Sequence, residues 1–412
     1  MDLTKDQSYV FTEVMDKIGS SKEFYPKFKY LTVGGFAGTG KTFLISIIRQ
    51  EIYNRYNKKD IAFVTFTGKA SSVLKTKLDE NNAFFEADFC GTIHSLIYKP
   101  ELHYDKNSHK MVITGWFKKE ELAYDLIFLD EASMVNQEIW NDLISYNIPI
   151  VAVGDNGQLP PIGDKFNLMK KPEYILSEIK RQALDNPIIR LSQDIRNGKS
   201  IPDGFYDSEN KNVFKLPWSD PVCRKIFNNI DFFNEDVILL CGFNRTRVSF
   251  NQMIRTNNNF NSPEPYPGER VVFLKNNYFS KVLNGMLGKV LYLMYESNDI
   301  YNMTINIDDY EDPYSGLVYN KCFGKEKYDE AQSEIQEIKN TKFFKNLLKN
   351  SDFKTLDLCD FGYCISVHKS QGSEFKKVVC YIERSSFWDD EYMRKWLYTA
   401  VTRAKEKLFL IV

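Results

Sequence analysis

Gly35-Phe36-Ala37-Gly38-Thr39-Gly40-Lys41-Thr42 lies directly after the apolar run Tyr30-Leu31-Thr32-Val33 and directly before Phe43-Leu44-Ile45-Ser46-Ile47-Ile48. The order is strand, glycine loop, helix. Glycines let the backbone N–H groups of such a loop turn inward on a phosphate, and the N-terminus of the following helix adds its partial positive charge. Gly35, Ala37, Gly38, Thr39 and Gly40 then form a cradle, Lys41 reaches the β- and γ-phosphates, and the Thr42 hydroxyl ligates Mg²⁺. The stretch predicts binding of a nucleoside triphosphate.

Other strands deliver polar residues to the same edge. Tyr124-Asp125-Leu126-Ile127-Phe128-Leu129-Asp130-Glu131 is a nearly continuous apolar strand, of the kind buried on both faces of a parallel sheet, and it ends in two carboxylates. Asp130 would hold Mg²⁺, directly or through water, while Glu131 would polarise an attacking water; the alternative for the pair is a helix N-cap. A strand over residues 148–154 ends in Asp155-Asn156-Gly157-Gln158, where Gln158 either contacts a γ-phosphate and its water or is a loop amide. Ile61-Ala62-Phe63-Val64-Thr65-Phe66 runs into Thr67-Gly68-Lys69-Ala70-Ser71-Ser72. Hydroxyls and a lysine at a strand's C-terminal edge suit a phosphate backbone, or else make a turn with a helix cap. Upstream, Thr4 caps a helix with an apolar stripe at Val10, Val14 and Ile18, and Gln7 either faces solvent or reads an adenine edge.

With 412 residues the chain is long enough for two to four domains, and 43% hydrophobic with 26% charged residues is ordinary for a globular protein. A net charge of −1 gives no global pull toward nucleic acid, so a polyanion site has to be a local groove. Seven scattered cysteines, without a CxxC pair, argue for reduced thiols and a cytoplasmic compartment. No apolar run approaches ~18 residues, so no membrane span is expected.

Past the first block, Leu102-His103-Tyr104 and Met111-Val112-Ile113 flank a polar turn and read as a hairpin over 98–117. Beyond about residue 170 a second unit begins, with a helix from Pro187 to Arg196 and a buried strand at Val237-Ile238-Leu239-Leu240-Cys241. Short alternating strands with glycine turns between 263 and 318, including Asn284-Gly285, suggest a small β-barrel; from Lys325 to Leu348 the pattern is amphipathic and helical. The chain then returns to strand and helix, with Thr402-Arg403 on the last helix. There Arg403 is either surface charge or an arginine finger for the γ-phosphate.

Taken together these stretches resemble the ordered motif set of superfamily-1 helicases, in the Dda and RecD-like branch. Leu3-Thr4-Lys5-Asp6-Gln7 is similar to the Q-motif region, Gly35 to Thr42 to motif I and Thr67 to Ser71 to motif Ia. Thr92-Ile93-His94-Ser95 resembles motif Ib, Leu129 to Ser133 motif II, Gly154 to Pro160 motif III and Leu176 to Arg181 motif IV. Val367-His368-Lys369-Ser370-Gln371-Gly372 resembles motif V, and Tyr398-Thr399-Ala400-Val401-Thr402-Arg403 motif VI.

The resemblance implies an α/β fold of two RecA-like P-loop domains, parallel sheets flanked by helices, with ATP between them and single-stranded DNA across their top. Domain 1A would span 1–170 with the hairpin 98–117 as a strand-separating pin, and domain 2A would span 171–265 and 359–412. An SH3-like insertion would occupy 266–320, and a helical extension over 321–358 falls where Dda carries an arm that braces the pin. Arg181 and Arg403 would reach the γ-phosphate from the second domain, and Thr67, Lys69, His94, His368 and Lys369 would meet DNA. The implied activity is ATP-dependent, Mg²⁺-supported DNA unwinding with 5′–3′ translocation on single strands and at junctions. A RecD-like motor subunit of a nuclease complex and a non-unwinding ATPase switch are the alternatives. The same resemblance implies a monomer, a single-strand-binding or replication protein as companion, and the cytoplasm, that of a host if the chain is viral.

Overall fold

The computed structural model describes residues 3–20, 23–105, 110–161, 166–180, 185–206, 212–277, 282–297, 299–308, 310, 312–350 and 356–412. Its first half is a parallel sheet built on the glycine-loop strand. The strands β1 (Tyr30–Gly35), β2 (Ile61–Thr65) and β3 (Phe89–Thr92) are followed by the hairpin β4 (Tyr98–Asp105) and β5 (Lys110–Lys118), then β6 (Leu126–Leu129), β7 (Ile150–Gly154) and β8 (Tyr174–Leu176). The sheet order is β3-β2-β6-β7-β1-β8, and β4 and β5 pair only with each other. Alternate residues of each central strand serve opposite faces. Phe63, Phe128, Val151 and Val33 pack under the helices Lys5–Ile18 and Lys41–Tyr56, while Ala62, Val64, Ile127 and Ala152 pack over Gln137–Ile144. Burial on both faces explains why these strands are continuously apolar. It also leaves their C-terminal ends as the open edge.

β8 pairs in register with β1, Val33 opposite Tyr174, so the first sheet runs past the boundary expected at 170. Three residues are too few for an alternation to show in the sequence.

In the second half, β9 (Gly204–Phe205), β10 (Val213–Leu216) and β11 (Val237–Cys241) precede a barrel of β12 (Arg270–Phe273), β13 (Leu287–Ser297), β14 (Ile300–Ile307), β15 (Tyr314–Tyr319) and β16 (Leu356–Phe361). The chain then returns through β17 (Cys364–Ser366), β18 (Phe375–Tyr381) and β19 (Ala404–Ile411) to complete a sheet in the order β17-β11-β18-β19-β10-β9, parallel except for β9.

The barrel closes differently from the expected 266–320 insertion. Its fifth strand, β16, pairs parallel with β15 and antiparallel with β12, and it straddles the boundary expected at 358/359. A parallel neighbour needs a crossover, which the helices Asp329–Asn340 and Lys342–Asn350 supply. The helical segment is therefore a connection inside the barrel. Its Ala331, Ile335 and Phe344 are buried in one core with Tyr319, Cys322 and Leu356. β16 escapes a sequence reading because Asp357 and Asp360 sit in it. Both are buried and partnered: the Tyr314 hydroxyl donates to Asp357 at 2.7 Å, and Asp360 accepts from Gly324 N–H at 2.8 Å and pairs with Arg247.

Among the described residues no helix is long and apolar enough to cross a membrane.

Candidate nucleotide site and nucleic-acid channel

The loop after β1 turns through two left-handed glycines, Gly38 at φ 81° and Gly40 at φ 76°, into the N-terminus of Lys41–Tyr56. Glycine is required at Gly40 for a second reason: a Cβ there would stand 2.6 Å from Gln7 Nε2. Lys41 Nζ donates to the loop's own carbonyls, Gly35 O at 2.9 Å and Phe36 O at 3.3 Å, and lies 3.9 Å from the Asp155 carboxylate. The Thr39 hydroxyl ties back to Phe36 O at 2.8 Å. The loop is thus held in shape by short local bonds.

Of the two readings of Gln7, the solvent-facing one is overturned: the residue is buried. Its Nε2 donates to Thr39 O at 2.8 Å, and its Oε1 accepts from Thr4 N–H at 3.1 Å in a capping box. With donor and acceptor both engaged, the side chain fastens the glycine loop to the first helix.

Asp130 and Glu131 follow β6. The Thr42 hydroxyl donates to Asp130 Oδ2 at 3.4 Å, and the Glu131 N–H to Asp130 Oδ1 at 2.9 Å. Glu131 sits at φ 54°, and its Oε2 is buried with no hydrogen-bond partner among the described residues. Burial, with the Asp130 charge adding to it, pushes the Glu131 carboxyl up to about 6, and Lys41 and Arg403 oppose the shift. Gln158 is buried beside it, its Nε2 3.4 Å from Asp155 Oδ2 and its Oε1 also unpartnered among those residues. Unpaired buried acceptors are costly, and this clustering suits a site built to meet something else.

Arg403 arrives from the other half. It is buried, with Nε donating to Thr399 O at 3.1 Å and Nη1 to Ser373 O at 3.2 Å. Glycine loop, acids, Gln158 and Arg403 line one cleft of about 630 Å³. Arg181 lies outside the described residues. Lys180 beside it is described: its Nζ stands 3.6 Å over the Phe43 ring at the cleft wall, and its N–H donates to Gly38 O at 3.1 Å. Nothing in the sequence singled it out. Thr42 and Asp130, an oxygen pair beside the glycine loop, are of the chemistry that suits a small hard cation.

The residues expected to meet DNA converge elsewhere. Thr67, Lys69, His94, His368 and Lys369 line one channel of about 310 Å³. Thr67 caps the helix Gly68–Glu80, accepting from Ala70 N–H at 3.2 Å, so its cap role and its place on the channel coexist. Lys69 borders both channel and cleft, 5.2 Å over the Phe375 ring. Burial lowers both His94 and His368, which leaves them neutral at pH 7; His368 Nε2 is 3.3 Å from the Tyr392 hydroxyl. The barrel supplies the wall that sequence reasoning missed, with Asn284, Gly285, Met286 and Tyr310. Asn284-Gly285 had signalled only a turn. Gly285 does turn, at φ 90°, and a Cβ on it would approach Lys369 O to 3.3 Å.

Lys369 is brought down to about 8, mainly by burial and then by Arg247, with Asp360 acting the other way. The ammonium is therefore charged at pH 7 and largely neutral at pH 9. We expect binding of a single-stranded oligonucleotide to weaken about tenfold over that interval, the scale of one charge-assisted bond. The histidines are neutral throughout this window and add nothing to it. Lys369→Arg should flatten the profile, and an unchanged slope in that variant would remove Lys369 from the contact.

Residues 23–164 match the family model described as an AAA domain, and residues 361–411 that of the UvrD-like helicase C-terminal domain. The ATP-dependent DNA helicase Pif1 of Campylobacter jejuni is 24% identical across 90% of this chain and 86% of its own length. The ATP-dependent DNA helicase dda of Enterobacteria phage T4 is 23% identical across 100% and 99%. A Bacteroides Pif1 helicase, solved with ADP-AlF3 and single-stranded DNA, superposes with a TM-score of 0.50 at 17% identity, covering 100% of this chain and 92% of that one. These matches support a superfamily-1 helicase of the branch that holds Pif1, Dda and RecD.

Proposed function

We propose that this ATP-dependent DNA helicase translocates 5′ to 3′ on single-stranded DNA and separates duplex ahead of it by closing its two α/β halves around ATP. The observation that carries the reading is the meeting of Glu131 from one half with Arg403 from the other in a single cleft, beside a channel lined by both halves.

In this reading Lys41 leaves Gly35 O and Phe36 O for the phosphates, a short swing of a side chain already at the loop. Glu131, its Oε2 unpartnered among the described residues, accepts the proton of the attacking water, which Gln158 helps to orient. Arg403 meets the charge that develops on the γ-phosphate. Thr42 and Asp130 would hold Mg²⁺, which neutralises charge on the phosphate oxygens when bound. Thr67, Lys69, His94, His368 and Lys369 grip the strand, and the β4–β5 hairpin acts as the pin at a single-strand/duplex junction. Hydrolysis opens and closes the cleft, and the channel walls move with it.

Two matched duplexes, one with a 5′ and one with a 3′ single-stranded tail, test the proposal when scored beside DNA-stimulated ATPase. Unwinding from the 5′ tail alone is expected. Unwinding from the 3′ tail alone would reverse the assigned polarity, and stimulated hydrolysis with no unwinding from either tail would turn the reading toward a motor subunit that needs its complex.

A further inference from the structure

The glycine loop is gripped from the second half by a residue that none of the expected roles uses. Tyr398, on the helix Asp390–Val401, is 2% exposed. Its hydroxyl accepts from the Ala37 N–H at 2.8 Å and donates to Asp155 Oδ2 at 2.8 Å. Ala37 belongs to the loop and Asp155 to the turn after β7, so one oxygen joins both to the opposite half. Its ring stands edge-on to Phe36 at 6.4 Å, and the Arg196 guanidinium covers Phe36 at 3.8 Å. Packing leaves little slack: a Cβ at Gly157 would come within 3.0 Å of Tyr398 Cε1 and 3.2 Å of Phe36 Cδ1.

We propose that Tyr398 is a positioning residue of the hydrolysis site, its hydroxyl setting the glycine loop against Asp155 and carrying movement of the second half into the loop. The inference rests on the ATPase reading above. A phenol suits the task because it donates and accepts through one atom. Burial, with Asp155 adding to it, holds its ionisation far above neutral pH, so the proton that binds Asp155 stays in place. Asp155 also lies 3.9 Å from Lys41 Nζ and holds Gln158 Nε2 at 3.4 Å. The hydroxyl is thus one atom removed from two groups that act on the phosphate. Because it touches the loop at a single amide, while Lys41 and the helix N-terminus anchor the triphosphate, its loss should cost alignment more than affinity.

The test is Tyr398→Phe, which keeps the ring and deletes only the hydroxyl. The ssDNA-stimulated kcat is expected to fall about tenfold, the scale of one hydrogen bond and the acceptor it leaves unpaired, with KM for ATP within about twofold of wild type. Tyr314→Phe is the control. The Tyr314 hydroxyl also donates to a buried carboxylate, Asp357, at 2.7 Å, but it lies in the barrel and touches neither the loop nor the groups of the cleft. Thermal midpoints of the two variants should drop alike, while kcat should fall only in Tyr398→Phe. A wild-type kcat in Tyr398→Phe, a loss confined to KM, or an equal loss of kcat in Tyr314→Phe would each overturn the proposal. Absence of DNA-stimulated ATPase in the wild-type protein would instead overturn the reading beneath it.

Discussion

Arg403→Ala should lower the DNA-stimulated kcat for ATP about 10³-fold, with much smaller changes in ATP and DNA affinity. The size of the effect follows from what the guanidinium faces. It is buried in the cleft, oriented by Thr399 O, Ser373 O and the Thr402 hydroxyl, and near enough to Glu131 to lower that carboxyl's pKa. A cation fixed by three protein acceptors needs little reorganisation when charge develops beside it, which is the condition under which such a group contributes most. Arg403→Lys should recover only part of the loss, because an ammonium cannot keep the same fork of bonds. Steady-state kinetics with saturating oligonucleotide decide the matter. A defect in DNA affinity with intact kcat would make Arg403 a structural tie between the halves.

Glu131→Gln should stop turnover by about 10³-fold or more while nucleotide binding survives. The same change should make the protein more stable. The carboxyl's folded-state value of about 6 lies above its ordinary 4.5, so its protonated form is the one that folding favours; the associated stability is present below pH 4.5 and is lost as pH rises through 6. At pH 7 the buried charge costs on the order of 1–2 kcal/mol, and a neutral amide relieves it. A higher thermal midpoint together with lost turnover is the expected signature. For wild type, kcat/KM should show an acidic limb near pH 6, since the base must be ionised to act. Retained turnover in Glu131→Gln would transfer the role of base elsewhere, and lost nucleotide binding would make the residue part of the cradle.

Much of this site can be read along the chain because its parts are local. The glycine loop is eight consecutive residues between a strand and a helix, and the acidic pair closes a strand that is apolar throughout. The five residues expected at DNA also share a channel, since each lies just past the C-terminal end of a strand, although patterning identifies only the strand before Thr67 and Lys69. What could not be read depends on pairings across long separations. Gln7 reaches a carbonyl 32 positions away, and Tyr398 an amide 361 positions away. Neither partner leaves a mark at the other's position in the sequence. β16 was hidden for another reason: its buried aspartates look exposed until Tyr314, Arg247 and Gly324 are in place to bond them.

The order of the second sheet has a consequence for how the protein is made. β11 finds its neighbours β17 and β18 only after the barrel and its helical crossover have been synthesised, and β10 waits for β19 at the far end of the chain. The first sheet, all of whose strands lie before residue 177, can close while the rest is on the ribosome. The barrel can follow, its strands running from 270 to 361. For all of that time Val237-Ile238-Leu239-Leu240-Cys241, apolar on both faces, has no strand beside it. Such an orphan edge invites pairing with other nascent chains. The Arg403 side of the cleft is therefore made well after the phosphate cradle, and a chain stopped between the two carries the cradle without the arginine proposed to complete it.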